Sequence, residues 1–215
     1  KLEEFLSFDL TIIESKLTQL LAEKLELNKP DLVCFSIPFP GNLFAALRCA
    51  QYIKQYYPEI KIAFGGGYCN TELRSLTDTR IFDYLDFICL DDGESPLLKI
   101  TQYLSKEIEQ DELERTFVLK NNNVEYINKL PNTIFHHSKL PAPSYEGLKH
   151  ESYLSFLDVM NPMHRLWSDG KWNKLTISHG CYWKQCSFCD VNLYYIGDYQ
   201  NTTAEDLVNK IESII

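Results

Sequence analysis

The sequence contains no apolar run long enough to cross a membrane. A membrane-spanning helix needs about 18 or more successive apolar residues, and no stretch of the 215 residues approaches that length. The first ten residues, KLEEFLSFDL, carry acidic side chains early and have no continuous apolar block, so they do not have the pattern of a secretory signal. We therefore expect a cytoplasmic protein with no membrane partner.

The sequence also has fewer basic than acidic residues. The chain has 21 Lys and Arg against 30 Asp and Glu, which gives a net charge of −9 and a pI near 5.1. Non-specific binding to nucleic acid requires a basic face, and no run of Lys and Arg marks one. Nucleic acid is therefore not an expected partner.

The sequence lacks an initiator methionine and stops inside a helical pattern, VNKIESII, so we expect an excerpt of a longer protein. Its composition is that of a folded chain. Hydrophobic residues make up 45% and aromatic residues 13%, which is sufficient for a buried core and argues against disorder.

Seven cysteines are an odd number and favour free thiols over a disulfide framework. Cys34, Cys49, Cys69 and Cys89 occur singly in apolar surroundings, as buried core thiols do. This usage fits a reducing cytoplasm. The other three cysteines lie close together near the end of the chain and need a separate explanation.

Strand-like and helix-like segments alternate over the first hundred residues. Apolar residues at helical spacing predict helices over 12–27 and about 42–57. Short apolar runs predict strands within 31–39, 61–68 and 86–94. Strands that are almost uniformly apolar and separated by helices indicate a parallel α/β sheet with helices on both faces. Ligands of such sheets bind beyond the carboxyl ends of the strands.

The second half of the chain is less regular. TFVLKNNNVEYI (116–127) predicts a β-hairpin, KWNKLTISHG (171–180) a strand, and TTAEDLVNKIESI (202–214) a helix capped by Thr202 or Thr203. We expect three segments: a Rossmann-like domain over 1–112, a hairpin and linker over 113–165, and the start of another α/β unit over 166–215.

The segment GCYWKQCSFCD places Cys181, Cys186 and Cys189 in a C-x4-C-x2-C pattern between a predicted strand and a predicted helix. Packing alone rarely needs three sulfur atoms in one polar loop. A zinc site of the Cys3His type would add His179, although zinc ligands usually come from two separate turns. An iron–sulfur cubane held by three thiolates would leave its fourth iron open to a ligand. The residues alone leave these alternatives open.

The segment SHGCYWKQCSFCD resembles the cluster loop of the radical S-adenosylmethionine (SAM) superfamily. The commonest spacing there is C-x3-C-x2-C with an aromatic residue before the last cysteine, a position that Phe188 fills here. This chain has one extra residue between Cys181 and Cys186, a spacing similar to a variant of one branch of the superfamily. In that branch a cobalamin-binding-like domain precedes the radical domain. The segments FSIP, AFGGGY, DDGES and LPAPSYEGL are similar to it in the same order.

The resemblance implies a fold, a reaction and a set of site residues. The fold would be a Rossmann-like, cobalamin-binding-like sheet, followed by a hairpin or linker and the first β/α unit of a radical SAM partial barrel. Cys181, Cys186 and Cys189 would bind a [4Fe-4S] cluster whose open iron chelates SAM. One electron would then cleave the sulfonium into methionine and a 5′-deoxyadenosyl radical. Phe188 would provide an apolar contact near the adenine.

The same resemblance makes cobalamin a candidate cofactor, with Ser36, Gly65, Gly66 and Gly67 near it, because glycine lets the backbone approach a bulky ligand closely. The D-x-H-x-x-G cobalamin-ligand motif is absent from the sequence. Methyl transfer through cobalamin is one reaction that the branch carries out. The expected partners are a small-molecule or peptide substrate and an external electron donor such as flavodoxin or ferredoxin.

Only 26 residues follow Cys189, whereas a full β/α barrel takes about 200–250, so we expect no turnover from this chain by itself. The alternative to an enzyme is a non-catalytic Rossmann-like binding module with a structural zinc site. A nucleotide binder at FGGGYCN is disfavoured, because no G-x-G-x-x-G or Walker pattern follows.

Overall fold

The computed structural model describes residues 2–128, 135–149, 152 and 175–214. By its internal contacts the chain divides into two compact units, Lys1–Ile134 and Phe135–Ile215. The predicted boundary at 165/166 and the first part of the strand predicted over 171–180 lie outside the described residues. Among the described helices, none is both long and apolar enough to cross a membrane.

The first unit alternates helices and strands as the sequence predicts. Its helices are α1 (Leu2–Leu6), α2 (Ile12–Asn28), α3 (Pro40–Tyr56), α4 (Gly67–Glu72) and α5 (Glu94–Leu104), with short 3-10 helices at Thr79–Asp83 and Gln110–Glu112. Its strands are β1 (Leu32–Ser36), β2 (Lys61–Gly65), β3 (Phe87–Cys89), β4 (Thr116–Lys120) and β5 (Asn123–Ile127).

The five strands form one sheet in chain order. Strands β1, β2 and β3 pair in parallel, whereas β4 runs antiparallel to β3 and β5 antiparallel to β4. The sheet is therefore mixed, and the predicted hairpin is its last two strands. The three strands predicted within the first hundred residues pair in parallel as expected, whereas the hairpin, which the sequence places after the sheet, extends that sheet with two antiparallel strands. A hairpin pattern shows that two strands pair with each other, but it does not show which sheet edge they join.

The two faces of the sheet bury separate cores. Strand side chains alternate between faces. Ile62, Phe64 and Ile88 pack into the core that contains the buried side of α3, whereas Ala63 and Phe87 belong to the core that contains Ile100 of α5. Helices thus cover both faces, as the apolar strands predict.

Local differences from the sequence predictions lie at helix ends and on helix surfaces. Ser95 followed by Pro96 predicts a helix that Ser95 caps, but helix α5 begins at Glu94 after Gly93. Ser95 is buried and donates a hydrogen bond to the Glu114 carboxylate. Ile13 and Leu25 have the spacing of residues on one helical face of α2, but Leu25 is buried and Ile13 is exposed. A single helical stripe does not reveal how much of a helix its neighbours cover.

In the second unit, the described residues form a two-stranded sheet and short helical segments. They are a 3-10 helix at His137–Lys139, strand β6 (Ser178–His179), helix α6 (Tyr194–Gly197), strand β7 (Gln200–Asn201) and helix α7 (Ala204–Glu212). Strands β6 and β7 pair antiparallel. Thr203 caps α7 by accepting a hydrogen bond from the Asp206 N–H, which confirms one of the two predicted caps.

Candidate functional site

The three clustered cysteines lie in the loop that leaves β6 and returns through α6 to β7. We call residues 180–199 the cysteine loop. Cys181, Cys186 and Cys189 are half-buried free thiols. The Cys189 N–H donates a 3.2 Å hydrogen bond to the Cys186 carbonyl, so a tight turn joins these two residues. All three sulfur atoms therefore belong to one loop next to a strand end, as the sequence predicts.

The other four cysteines are less suited to metal binding. Cys49 and Cys69 are buried, and burial raises the pKa of the Cys69 thiol to about 12. Burial also raises the pKa of the half-buried Cys89 thiol to about 12. Cys34 is exposed and Cys89 is only half-buried, which corrects the expectation that all four are buried core thiols. Metal ligation and nucleophilic attack require the thiolate, so a raised pKa disfavours both.

The two ends of the cysteine loop approach each other closely through their backbones. We call the contact between Gly180 and Asp198 the neck of the loop. Gly180 has a φ of +75°, and a Cβ there would lie 2.7 Å from the carbonyl carbon of Asp198 and nearer still to its oxygen. The next residue, Cys181, donates its N–H to the Ile196 carbonyl at 2.8 Å. Near the far end, a Cβ on Gly197 would lie 2.6 Å from the Val191 carbonyl oxygen. Glycine is needed at both places because the backbone segments leave no room for a side chain.

Hydrogen bonds hold Asp198 at this neck. Its Oδ2 atom accepts from Gln200 Nε2 at 2.6 Å and from the Tyr194 hydroxyl at 3.0 Å. These two bonds, the Gln200 bond first, lower the pKa of the Asp198 carboxyl. The Gln200 side chain is itself fixed, because its Oε1 atom accepts the His137 N–H at 2.7 Å.

The chemistry of the loop's side chains fits an iron–sulfur cluster, whose usual protein ligand is the cysteine thiolate. Within the described part of the chain, no three His, Cys, Asp or Glu side chains are gathered closely enough to hold a metal ion. The donor set is therefore present on one loop, while its sulfur atoms are not brought together. His179, the fourth ligand of the zinc alternative, stacks on His137 with ring centroids 6.0 Å apart.

Apolar side chains on the cysteine loop are unusually exposed. Phe188, the predicted adenine contact, is 91% exposed, and Tyr182 and Trp183 are 76% and 55% exposed. Exposed aromatic side chains of this size are unusual on a surface that contacts nothing, so they are available to a ligand or another surface. The assignment of Phe188 to the adenine stays a prediction.

The predicted cofactor-binding glycines lie at the carboxyl edge of the sheet, after β2. A Cβ on Gly66 would lie 2.8 Å from the Ile37 nitrogen, and one on Gly67 would lie 2.9 Å from the Pro38 carbonyl oxygen. A Cβ on Gly65 would meet only ordinary van der Waals contacts, at 3.8 Å or more. The space left by Gly66 and Gly67 is thus filled by the chain's own loop after β1. These two glycines pack the loops together and provide no open cradle.

Ser36, the fourth predicted cofactor residue, ends β1 at this edge and is exposed. A polar network orders the loop after β3 at the same edge. The Asp91 N–H donates to Asn70 Oδ1 at 2.5 Å, and Arg74 forms an ion pair with the Asp91 carboxylate. Arg115 donates from Nη2 to the Asp92 carbonyl at 3.2 Å. Hydrogen bonds and an ion pair therefore order the loops at the carboxyl edge of the sheet, where a ligand is predicted.

Sequence reasoning assigned no role to Gly180, Gly197 and Asp198, although all three shape the cysteine loop. A glycine directly between a strand and the first cysteine is a usable signal, because glycine often marks a left-handed backbone or a close approach. The identity of its contact, Asp198, depends on how the loop closes and has no signal in the sequence.

No known protein family's sequence profile matches the chain, and neither does any curated protein sequence. Solved structures do match. OxsB, a cobalamin-dependent S-adenosylmethionine radical enzyme with aqua-cobalamin and S-adenosylmethionine bound, matches with a TM-score of 0.66 at 18% identity, over 92% of this chain. TsrM from Kitasatospora setae, a radical S-adenosylmethionine methyltransferase with cobalamin and a [4Fe-4S] cluster bound, matches with a TM-score of 0.55 at 14% identity, over 96% of this chain.

The chain shares the fold of cobalamin-dependent radical SAM enzymes. This confirms the resemblance in fold. The match covers 25% of OxsB and 39% of TsrM, so the chain spans well under half the length of either enzyme. At these identities the likeness establishes the fold, and the chemistry has to be argued from the residues.

Proposed function

We propose that this chain is part of a radical SAM enzyme in which Cys181, Cys186 and Cys189 bind a [4Fe-4S] cluster. The observation that carries the proposal is a three-thiol loop, C-x4-C-x2-C, directly after a strand in a chain that shares the fold of OxsB and TsrM. Three thiolates on a cubane leave one iron open, which is the property that binding SAM requires.

The role of the protein would be to hold and shield the reactants. The bound cluster supplies the electron that divides SAM into methionine and a 5′-deoxyadenosyl radical. The three thiolates would bind three irons. The exposed ring of Phe188 would cover the adenine, and its apolar surface would help to exclude water. A small-molecule or peptide substrate and a flavodoxin or ferredoxin donor remain the predicted partners.

Anaerobic reconstitution of the chain with iron and sulfide tests this proposal. We expect a brown protein with iron and sulfide bound, whose absorption or electron paramagnetic resonance (EPR) spectrum changes when SAM is added. Replacing Cys186 by Ala should abolish both, because two thiolates do not retain the cubane. Cys34→Ala is the matched control: it also removes one thiol, but from the first unit, and should leave the cluster intact.

The alternative function predicts a different metal. A binding module with a structural zinc site would take up zinc stoichiometrically, and His179→Ala would reduce that uptake. Tight zinc binding without iron uptake by the anaerobically prepared protein would therefore contradict the enzyme proposal.

Cobalamin binding at the carboxyl edge of the sheet is the second part of the proposal. OxsB and TsrM both bind cobalamin, and the exposed Ser36 lies where ligands of such sheets bind. We expect cobalamin binding in equilibrium dialysis, and a loss of at least about tenfold in affinity for Ser36→Trp, whose bulk would block the edge. The control is Lys24→Trp on the exposed side of α2, the helix that leads to the opposite end of β1. Equal binding by wild type and Ser36→Trp would contradict this site.

A further inference from the structure

The cysteine loop has a neck at which two backbone segments touch. Gly180 meets two separate requirements for glycine. Its φ of +75° is rarely adopted by other residues, and the Asp198 carbonyl occupies the space that a Cβ would take. The residue that follows is Cys181, whose N–H is bonded to the Ile196 carbonyl at 2.8 Å. The direction in which the first cysteine leaves β6 is therefore set at this neck.

Side-chain hydrogen bonds stabilise the Asp198 side of the neck. The Asp198 carboxylate accepts hydrogen bonds from Gln200 and Tyr194, and Gln200 is tied to the His137 backbone. Gln200 is buried, so its bonds are shielded from competing water. The carbonyl that Gly180 touches thus belongs to a residue with little freedom to move.

The other two cysteines are placed differently. The turn bond from the Cys189 N–H to the Cys186 carbonyl fixes Cys186 and Cys189 relative to each other without help from the neck. Between them and Cys181 lie four residues, of which Lys184 has a left-handed φ of 51°. The position of the neck therefore determines how far Cys181 lies from Cys186 and Cys189.

We infer that Gly180 and Asp198 are positioning residues that set Cys181 against Cys186 and Cys189 for cluster binding. This inference rests on the function proposed above and adds to it the residues that fix where the first of the three metal ligands leaves β6. Groups that orient metal ligands commonly change metal affinity by about 10- to 100-fold when they are lost. Neither residue would touch the cluster.

A pair of glycine variants tests the inference. Gly180→Ala introduces a Cβ that collides with the Asp198 carbonyl. Gly147→Ala is the matched control in the same unit, because Gly147 also has a left-handed φ, +79°, but open space around its Cβ position. Both variants place a Cβ on a backbone with a left-handed φ, so a difference between them reports the contact at the neck.

The first readout uses the metal-free chain. We expect Gly180→Ala to change the iodoacetamide alkylation rate of Cys181, relative to Cys186 and Cys189, by at least about threefold, and Gly147→Ala to leave that ratio unchanged. Peptide mass spectrometry measures each cysteine separately. The second readout is iron and sulfide content and the EPR spectrum after anaerobic reconstitution, where we expect Gly180→Ala to bind less than about half the wild-type iron.

A second pair of variants tests the hydrogen bonds that hold the Asp198 side chain. Asp198→Asn keeps a side-chain oxygen that can take the place of Oδ2 and accept both hydrogen bonds, and it should retain wild-type iron content and EPR spectrum. Asp198→Ala removes both bonds and should lower iron content. Rescue by Asn but not Ala distinguishes positioning from a need for charge.

The outcomes separate this inference from the proposed function. If the wild type assembles no cluster but Gly180→Ala still alters the alkylation of Cys181, the proposed function fails and the positioning by the neck stands. If the wild type assembles a cluster and Gly180→Ala matches Gly147→Ala in alkylation ratio, iron content and EPR spectrum, the positioning role is overturned.

Discussion

Arg48 carries its charge into the interior of the first unit. It is 4% exposed and bonds Glu14 of α2 at 2.8 Å and the Leu6 carbonyl at the end of α1, also at 2.8 Å. A buried cation is costly unless every donor finds a partner. Here one guanidinium on α3 joins three helices, which explains why a charged residue lies on the buried side of α3.

The Glu14 carboxylate gives a test with a defined pH dependence. Hydrogen bonds from Thr11, followed by the contact with Arg48, lower the pKa of Glu14 below its ordinary value of 4.5. A lowered pKa adds stability above the ordinary pKa, and that stability is lost as the pH falls through the lowered value. We expect Glu14→Gln to reduce the free energy of unfolding by about 1–2 kcal/mol at pH 7 and by progressively less below pH 4.5.

Urea unfolding of both proteins between pH 7 and pH 3 measures this difference. The exposed Glu59→Gln is the control and should follow the wild type at every pH. A difference that stays constant with pH would show that packing, rather than the charge of Glu14, is responsible.

The seven thiols should differ strongly in reactivity. Burial raises the pKa of the Cys69 thiol to about 12, so very little thiolate exists at pH 8. We expect iodoacetamide to modify Cys181, Cys186 and Cys189 of the folded, metal-free chain at least about tenfold faster than Cys69. Peptide mass spectrometry follows each site, and unfolding in urea should remove the difference. Equal rates in the folded chain would contradict the burial of Cys69.

At the scale of elements, two asparagines form the turn of the hairpin between β4 and β5. Asn121 and Asn122 have φ values of 50° and 58°, the left-handed pair that a two-residue type I′ turn requires. Glycine adopts this conformation without strain, so Asn122→Gly should stabilise the first unit by about 0.5 kcal/mol and Asn122→Val should destabilise it by about 1–2 kcal/mol.

The control for this turn is Asn123→Gly. Asn123 is the first residue of β5 and has no left-handed φ, so glycine there should destabilise. Urea midpoints followed by far-ultraviolet circular dichroism measure all three variants. Stabilisation by both glycines would show that the turn type is not the cause.

At the scale of the whole molecule, the two compact units provide separate spectroscopic signals. The five-stranded sheet and its helices lie in Lys1–Ile134, whereas all three tryptophans of the sequence, Trp167, Trp172 and Trp183, follow that unit. Circular dichroism therefore reports mainly the first unit, and tryptophan fluorescence reports the second.

Replacing Ile62 by Ala should destabilise only the first unit. Ile62 lies fully buried in the core of the sheet, and such truncations cost about 2–5 kcal/mol. We expect the circular dichroism midpoint in urea to fall and the fluorescence midpoint to stay. Exposed Val208→Ala on α7 is the control and should move neither. A joint shift of both signals in Ile62→Ala would show that the units unfold as one.

Sequence patterns identified most of the elements because their signals are local. Apolar runs located β1, β2 and β3, and asparagines located the hairpin. They did not predict that β4 joins β3 antiparallel, because the pairing of strands distant in the chain depends on packing. The likeness to OxsB and TsrM was predicted as a resemblance, and the structural match confirms it for the fold.

The sequence by itself determined where three thiols lie within nine residues, because ligand spacing is a property of the chain. Only the tertiary structure decided what surrounds them: Gly180 meets Asp198, and the spaces at Gly66 and Gly67 are filled by the loop after β1. Those contacts join segments distant in the chain, and steric fit between backbones has no counterpart in residue spacing.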